Sequence, residues 1–237
     1  MKIALLGYGK MGKEIEKIAQ ERNHEIFLKI DSFEDWNTHI YNFLQADVAI
    51  EFSTPDTVLD NVMKCFSANV PVVVGTTGWY DQLEIVRELC TEKNQTLFYA
   101  SNFSVGVNMF FQINKKLAQL MNNYPEYNVS MEEIHHTQKL DAPSGTAIVL
   151  ANDIIANMQQ IESWKNEVSE DKAVLGIKSV RESDIPGTHT ITYESANDII
   201  EIKHIAKNRK ALALGAILAA EFLQGKKGIY EMKDMLF

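Results

Sequence analysis

The side chains best suited to chemistry in this 237-residue chain lie in one short stretch, EEIHHTQKLDAPSGTA at residues 132–147. His135 and His136 can each donate or accept a proton near neutral pH, and Lys139 carries a mobile positive charge. Adjacent residues of a strand face opposite sides, so we expect the two histidines to have different roles. The density of titratable groups favours acid–base chemistry over the alternative, a polar loop with a core histidine and a solvated lysine.

The same stretch leads into a helix predicted over residues 146–158. The backbone N–H groups of Gly145 and Thr146 would then lie at the helix N-terminus, where the helix dipole attracts a carboxylate. Pro143 and Gly145 favour a turn before that helix. The stretch therefore predicts a binding site for a small anion beside a proton donor.

A second group of residues, near the N-terminus, is typical of dinucleotide binding. Gly7, Gly9 and Gly12 form G-x-G-x-x-G directly after a predicted strand and at the start of a predicted helix. The first glycine permits a tight turn, the second admits a pyrophosphate to the backbone, and the third allows close helix–strand packing. A glycine turn without a ligand is the alternative. The predicted cofactor-binding residues of this loop are Gly7, Tyr8, Gly9, Lys10, Met11 and Gly12.

Asp31 ends the second predicted strand, 19 residues after Gly12. An acidic residue about 20 residues beyond the glycine loop accepts hydrogen bonds from the adenosine ribose of a dinucleotide. Its charge would repel a 2′-phosphate, so we expect NADH to be preferred, with NADPH accepted if Lys10 or Lys13 compensates. The alternative is an ordinary aspartate at a strand end.

Two more loops follow predicted strands. Ligands of open α/β sheets bind at the carboxyl ends of the strands, so both loops are expected to contact the nicotinamide half of the cofactor. Either loop taken alone is also compatible with a simple turn. The residues concerned are Gly75, Thr76 and Thr77 in one loop, and Ala100, Ser101, Asn102 and Phe103 in the other.

Hydrophobic patterning predicts the elements that position these groups. Short apolar runs that alternate with helical patterns over the first hundred residues predict a parallel sheet with helices on both faces. After about Ser104 the pattern predicts a helix, a strand, a second helix and then three strands in succession, typical of an open antiparallel or mixed sheet. Residues 161–176 are expected to form a surface loop, and a last helix over residues 210–223 is followed by a short tail.

Composition limits the classes of function. Hydrophobic residues make up 46% of the chain, enough for a core, and the net charge of -9 argues against general nucleic-acid binding. The two cysteines, Cys65 and Cys90, do not form a disulfide framework, and no metal-ligand spacing occurs, so we expect no metal. No apolar run suits a signal peptide or a membrane helix, which indicates a cytoplasmic protein with no membrane partner.

The stretch at residues 132–147 resembles the signature of the dihydrodipicolinate reductase family, E-[LI]-H-H-x-x-K-x-D-A-P-S-G-T-A, and matches each fixed position. The glycine loop differs from the family pattern G-x-x-G-R-M-G in being shorter and in having Lys10 in place of arginine. The resemblance spans most of the chain and includes EFSTP at 51–55, GTTGW at 75–79, SNFSVGVN at 101–108 and RESDIPGTHT at 181–190.

The resemblance implies a Rossmann-like dinucleotide-binding domain formed by residues 1–104 and 210–237. An inserted α/β domain, residues 105–209, would bind the substrate and form a homotetramer. The implied reaction is the reduction of 4-hydroxy-tetrahydrodipicolinate, a small dicarboxylate, in lysine and diaminopimelate biosynthesis, with NADH or NADPH as cofactor. Carried over by position, the proton donors are His135 and Lys139, and the substrate-binding residues are His136, Gly145, Thr146 and Arg209.

Two other interpretations stay open on the residues alone. A reductase of another amino- or keto-dicarboxylate would need the glycine loop and Asp31 but not every polar group between residues 135 and 146. A nucleotide-sensing regulatory protein without turnover would leave His135, Lys139 and Arg209 without a role. The interpretation as a dihydrodipicolinate reductase requires Lys139 and Arg209 to lie together around the two acid groups of the substrate.

Overall fold

The computed structural model describes residues 1–208 and 210–237. The chain divides into two compact units. Unit 1 contains residues 1–105 and the described residues from 210 to 237, and unit 2 contains Gly106–Asn208. Each unit has its own sheet, one entirely parallel and one mixed, so the predicted fold class is confirmed.

The sheet of unit 1 has six strands, all parallel to their neighbours. Its strands are short and largely buried, as expected of a parallel sheet covered on both faces. They are β1 (Lys2–Leu6), β2 (Glu25–Ile30), β3 (Val48–Glu51), β4 (Val72–Val74), β5 (Thr96–Tyr99) and β11 (Gly228–Tyr230), in the spatial order β11-β5-β4-β3-β1-β2.

Helices cover both faces of this sheet. One apolar cluster joins the strands to the helices α2 (Phe33–Phe43), α3 (Val58–Ser67) and α4 (Leu83–Glu92). The other cluster joins them to α1 (Lys10–Glu21), α7 (Lys210–Phe222) and α8 (Met232–Leu236). The apolar face of α1 shows why it packs here, since Ile15, Ile18 and Ala19 recur at helical spacing and are buried.

The sequence predicts only a short tail after residue 223, and this prediction is wrong because the segment forms a strand and a helix. β11 pairs with the edge strand β5, from Gly228 opposite Thr96 to Tyr230 opposite Phe98, and α8 follows it. Three residues are too few for a recognisable period in the sequence. The strand forms because β5 offers it an unpaired row of backbone groups.

The sheet of unit 2 has five strands and is mixed. Within it β9 runs antiparallel to β6 and β10, whereas β8 runs parallel to β6 and β7. The helices α5 (Val105–Met121) and α6 (Gly145–Asn157) contribute to the apolar core of the unit with Met131, Ile177 and Tyr193. The strands are β6 (Asn128–His135), β7 (Ser163–Lys165), β8 (Val174–Arg181), β9 (Gly187–Glu194) and β10 (Ile199–Ala206), in the spatial order β10-β9-β6-β8-β7.

The surface loop expected at residues 161–176 is also wrong in part. Ser163–Lys165 forms the edge strand β7, which pairs in parallel with Val174–Gly176 at the start of β8. The segment between the two strands is polar, and that polarity hides the strand in the sequence. The pairing partner, rather than local composition, decides this element.

Among the described residues no helix combines the length and apolar character needed to cross a bilayer. Both cysteines are buried, Cys65 in α3 and Cys90 in α4. Burial raises the pKa of both thiols, that of Cys90 to about 11. The thiols are therefore protonated packing groups at neutral pH.

Gly215 in α7 provides a test of packing in unit 1. A Cβ atom at this position would overlap the carbonyl oxygen of Phe103. We expect Gly215→Ala to lower the free energy of unfolding by about 2 kcal/mol, because the helix must shift away from that backbone. Urea unfolding measures the change. Ala211→Ser, an exposed position of the same helix, should change it by less than about 0.5 kcal/mol, and equal stability of the two variants would contradict the packing argument.

Candidate active site

The carboxyl ends of the parallel strands bring the predicted cofactor loops of unit 1 to one edge of the sheet. The glycine loop follows β1, Asp31 follows β2, and the loops at residues 75–77 and 100–103 follow β4 and β5. In the order β5-β4-β3-β1-β2, β5 is next to β4, β1 is next to β2, and only β3 lies between the two pairs. The edge is the usual ligand-binding edge of an open parallel sheet.

The glycine loop has the shape that a pyrophosphate requires. Gly7 has φ +91°, and a Cβ there would overlap the carbonyl of Phe52, so the turn excludes other residues. A Cβ on Gly12 would lie 2.5 Å from the carbonyl oxygen of Gly7, whereas a Cβ on Gly9 would meet no atom within 4 Å. The start of α1 at Gly9 carries no side-chain cap and no acidic residue. The loop therefore fits the phosphates of a dinucleotide.

Asp31 is held against the glycine loop. Its Oδ1 accepts a hydrogen bond of 2.7 Å from the backbone N–H of Tyr8. The side chain of Asp35 caps α2 and accepts hydrogen bonds of 2.9 Å from the N–H groups of Asp31 and Ser32. The carboxylate thus lies beside the loop, where a ribose of the bound cofactor would be expected.

A cation close to the glycine loop is already paired. Lys29 Nζ lies 2.7 Å from Glu16 Oε1 and donates a hydrogen bond of 2.9 Å to the hydroxyl of Tyr8, which itself bonds to Glu16. Hydrogen bonds from Lys29 and Tyr8 lower the pKa of the Glu16 carboxyl. Lys10 is exposed, and Lys13 Nζ lies 5.9 Å from the centre of the Tyr8 ring.

The other two loops of unit 1 combine packing residues with exposed polar ones. Thr76 is buried, and its hydroxyl accepts a hydrogen bond of 2.9 Å from the N–H of Ser53. Phe103 is buried, with its ring 5.8 Å from those of Phe52 and Phe98. Thr77 and Ser101 are exposed. Because Thr77 and Ser101 are not buried in the core, they are better suited than Thr76 and Phe103 to contact a ligand.

In unit 2 the predicted catalytic segment is organised by a residue that sequence reasoning did not assign, Glu133. Its carboxylate is completely buried. Oε2 lies 2.7 Å from Nδ1 of His135, which ends β6. Oε1 accepts hydrogen bonds of 2.9 Å from Nη2 of Arg181 and 3.2 Å from the N–H of Ser144. One carboxylate therefore joins β6, β8 and the start of α6.

The electrostatics of this cluster are set by burial and by those bonds. Burial alone would raise the pKa of the Glu133 carboxyl, but hydrogen bonds from His135, Ser144 and Arg181 outweigh it and lower that pKa strongly. Burial, followed by repulsion from His135, lowers the pKa of His189 to about 3. At neutral pH Glu133 is therefore ionised and His189 is neutral.

Lys139 lies in the loop between β6 and α6. Its ammonium group contacts both carboxylate oxygens of Asp141, at 2.7 and 2.8 Å. Burial acts to raise the pKa of Asp141, and the hydrogen bond from Lys139 reverses the direction. Arg181 Nη2 donates a hydrogen bond of 2.6 Å to the carbonyl of Asp141, so the loop is tied to β8. Lys139 is held in the site but keeps part of its surface exposed.

The predicted anion-binding residues lie at the start of α6. Ser144 is its N-cap, and the hydroxyl accepts a hydrogen bond of 3.2 Å from the N–H of Ala147. That hydroxyl also lies 3.1 Å from Nε2 of His189. Gly145 and Thr146 are the next two residues, and a Cβ on Gly145 would meet no atom within 4 Å. Their N–H groups lie at the helix end, beside open space.

Within unit 2 the structure brings most of the predicted substrate-site residues together. His135, His136, Lys139, Gly145 and Thr146 all lie on β6, on the loop after it or at the start of α6. Arg209 lies outside the described residues. The residues that sequence reasoning did not assign are Glu133, Arg181, Gly187 and His189. Glu133 precedes the histidine pair, and the other three lie in RESDIPGTHT, so proximity in the sequence was the available signal.

Glu133, His135 and His189 place three potential metal-ligand atoms within 4.8 Å of one another. Two ligands of one tetrahedral zinc ion lie about 3.3 Å apart, given bonds of about 2.0 Å. The 2.7 Å between Glu133 Oε2 and His135 Nδ1 is shorter, and Arg181 adds a positive charge on the same carboxylate. The geometry favours a hydrogen-bonded cluster over a metal site.

Comparison with known families identifies the family of the chain. The profile described as dihydrodipicolinate reductase, N-terminus, matches residues 1–103, and the corresponding C-terminal profile matches residues 106–236. The chain belongs to the dihydrodipicolinate reductase family. It is therefore an oxidoreductase whose N-terminal domain is of the nucleotide-binding, Rossmann-like type. The predicted family and enzyme class are confirmed.

Curated relatives cover this reductase almost completely. It is 50% identical over its whole length to the 4-hydroxy-tetrahydrodipicolinate reductase of Christiangramia forsetii, of which the match covers 98%. It is 34% identical to the enzyme of that name from Clostridium novyi, with 96% of this chain and 94% of the relative aligned. The dipicolinate-bound dihydrodipicolinate reductase from Paenisporosarcina sp. TG-14 shares the fold, with a TM-score of 0.76, 24% identity and coverage of 98% and 97%.

The neutral, buried His189 makes a measurable contribution to the pH dependence of stability. Its pKa is about 3 in the folded protein and 6.5 otherwise, so the stabilisation is complete above pH 6.5 and is lost as the pH falls toward 3. At pH 5 the unfolded state gains about 2 kcal/mol from protonation of this residue. We expect His189→Gln to reduce the loss of unfolding free energy between pH 7 and pH 5 by about that amount, measured by urea unfolding.

Thr190→Ser, the next buried position on β9, is the control for this experiment because threonine and serine do not titrate. It should keep the pH dependence of the wild type. An equal slope in His189→Gln and wild type would show that the pKa of His189 is the same in the folded and unfolded protein.

Proposed function

We propose that this reductase converts 4-hydroxy-tetrahydrodipicolinate to tetrahydrodipicolinate with a reduced nicotinamide cofactor, in lysine and diaminopimelate biosynthesis. The observation that carries the proposal is in unit 2, where His135 and the N-terminus of α6 meet at the buried Glu133 carboxylate and Lys139 lies in the loop between them, paired with Asp141. The substrate is a ring with two carboxylates, and this cluster offers it cations, amide donors and a proton.

Substrate binding rests on positive groups within an acidic protein. The net charge of -9 repels a dianion at long range, so the site must supply local attraction. We assign one carboxylate to the N–H groups of Gly145 and Thr146, and further contacts to His136 and Lys139. Arg209 is assigned to a carboxylate because its guanidinium can bind one with two parallel hydrogen bonds.

The reaction adds one hydride and one proton to the substrate and releases its hydroxyl group as water. The cofactor, when bound, supplies the hydride. His135, aided by Lys139, donates this one proton, and the ammonium group of Lys139 balances negative charge on the substrate. Lys139 must exchange part of its contact with Asp141 for the substrate, which its 22% exposed side chain allows.

The cofactor is assigned to unit 1. We propose that residues 1–104 and 210–237 form the dinucleotide-binding domain, and that residues 105–209 form the substrate-binding and oligomerisation domain. Asp31 beside the glycine loop and the pairing of Lys29 with Glu16 support NADH as the preferred cofactor, because neither arrangement offers a free cation to a 2′-phosphate.

Further proposals complete the assignment. The enzyme acts in the cytoplasm as a homotetramer that assembles through the second domain, without a nucleic-acid or membrane partner. Its cofactor contacts are those predicted from the sequence, with Thr77 and Ser101 as the exposed contributors beside the glycine loop and Asp31.

Enzyme assays test the activity directly. The protein is mixed with NADH and the fresh product of dihydrodipicolinate synthase, and oxidation of the cofactor is followed by absorbance. We expect rapid turnover by the wild type, and a kcat lower by at least about 100-fold in His135→Gln and Lys139→Ala, because general acid catalysis supplies about 10²–10⁴ in rate.

Lys172→Ala, at an exposed lysine elsewhere in unit 2, is the control and should keep the wild-type kcat. Wild-type inactivity with this substrate would contradict the proposed function. Near-normal turnover by both His135→Gln and Lys139→Ala would contradict only the assigned roles.

Cofactor choice is tested by the ratio of kcat/KM with NADH to that with NADPH at low salt. We expect the wild type to favour NADH, and Asp31→Ser to lower the ratio by about tenfold, because it removes both the ribose acceptor and the repulsion of a 2′-phosphate. Glu34→Gln, at a nearby exposed acid on α2, is the control and should keep the ratio. Equal or better efficiency of the wild type with NADPH would refute the preference.

A further inference from the structure

Glu133 is a fully buried carboxylate with no place among the assigned donors and ligands of the reaction. A buried charge is costly unless it is paired and hydrogen-bonded. Here the pairing is complete on one side, where Oε1 accepts from Arg181 at 2.9 Å and from the Ser144 N–H at 3.2 Å. The other oxygen, Oε2, is directed to His135 Nδ1 at 2.7 Å.

These contacts select the tautomer of His135. An ionised carboxylate has no proton to donate, and two unprotonated acceptor atoms 2.7 Å apart would repel each other, so Nδ1 of His135 carries the proton in this ion-pair contact. Nδ1 is therefore the N–H that faces the protein, and Nε2 is the nitrogen left for proton exchange. The carboxylate also stabilises the positively charged ring, which is the form that can donate a proton from Nε2.

The neighbourhood of Nε2 is kept open by a glycine. A Cβ on Gly187 would lie only 2.9 Å from His135 Nε2. Gly187 also has φ +156°, a backbone conformation in which a side chain is strained. The start of β9 thus provides space at the one ring nitrogen that is free of Glu133.

Resting on the proposed function, we infer that Glu133 is the positioning residue of the proton donor. It fixes the ring of His135 with Nδ1–H bound and Nε2 available. Arg181 and the Ser144 N–H fix the carboxylate in turn. Because Ser144 is the N-cap of α6, Glu133 also fixes the position of the proton donor relative to the helix end that is proposed to bind a substrate carboxylate.

An isosteric substitution isolates this role. In Glu133→Gln the amide oxygen should take the place of Oε1, because Arg181 and the Ser144 N–H both require an acceptor there. The amide NH2 group then faces His135 Nδ1 and cannot accept its proton. The charged ring, with N–H on both nitrogens, loses its partner, while the bonds that hold β8 and α6 are kept.

Charges on every neighbouring element bear on this arrangement. Arg181 and the neutral His189 are constant between pH 6 and pH 9, the first because guanidinium stays protonated and the second because burial lowers its pKa to about 3. The charged and titratable groups around the pair are Arg181 on β8, His189 on β9, His204 on β10, and Lys139 and Asp141 in the loop before α6.

The experiment compares Glu133→Gln with the wild type and with Glu132→Gln. Glu132 is the adjacent residue of β6 and forms an exposed ion pair with Lys178 at 2.7 Å, so it is a matched control. We expect Glu133→Gln to lower kcat by about 10- to 100-fold. KM should change less than about threefold, because the amide oxygen still accepts the hydrogen bonds of Arg181 and the Ser144 N–H. Glu132→Gln should stay within about twofold of the wild type.

The split between kcat and KM gives a readout that a purely structural role would not produce. A loosened site would raise KM together with the fall in kcat, whereas loss of the contact with His135 should lower kcat with little change in KM. Cofactor binding, measured by the fluorescence of NADH, should be unchanged, because the glycine loop belongs to unit 1.

If the glutamine variant does not fold, Glu133→Asp takes its place in the experiment. Aspartate retains the charge for Arg181 but is one methylene shorter, so contact with His135 Nδ1 is lost and kcat should fall in the same way. A folded variant at position 133 with wild-type kcat would overturn the inference. If the wild type itself does not turn over this substrate, the proposed function fails instead, which is a separate result.

Discussion

The buried carboxylate of Glu133 constrains the whole of unit 2. An ionised group without solvent is costly unless it is paired and hydrogen-bonded. The partners of Glu133 come from separate elements: the ring of His135 at the end of β6, Arg181 at the end of β8 and the Ser144 N–H at the start of α6. The same requirement that stabilises the charge therefore brings the ring of His135, the end of β8 and a helix N-terminus to one place. The site arises from a folding constraint.

Unit 1 is organised by the geometry of a parallel sheet. Because all six strands run in the same direction, their carboxyl ends meet at one edge, and loops that are far apart in sequence become neighbours. The glycines of the first loop serve packing as much as binding. Gly7 and Gly12 approach other backbone atoms too closely for a side chain, and Gly9 alone borders open space. Glycines at these positions therefore suit both the packing of the loop and the binding of a ligand.

Unit 2 concentrates positive groups locally in a protein that is acidic as a whole. Along the chain the acidic residues outnumber the basic ones, 32 to 23. The segment between β6 and α6 nevertheless holds Lys139, leads to the positive end of a helix and is bonded to Arg181 of β8. Pairing tempers these charges. Asp141 holds Lys139, and Glu133 holds Arg181. A paired cation can exchange its partner for a substrate carboxylate without an unpaired charge in the resting enzyme.

The amino-acid sequence by itself determined the family, the alternation of strand and helix in unit 1, the mixed sheet of unit 2 and the segment that holds His135 and Lys139. These features are local, since each is written in a period, a turn or a contiguous motif. The strands β7 and β11 escaped prediction because each is three residues long and exists only through its pairing partner. The roles of Glu133, Arg181, Gly187 and His189 were likewise decided by tertiary structure, because contacts between residues 48 and 56 positions apart in the chain depend on strand pairing that no local pattern encodes.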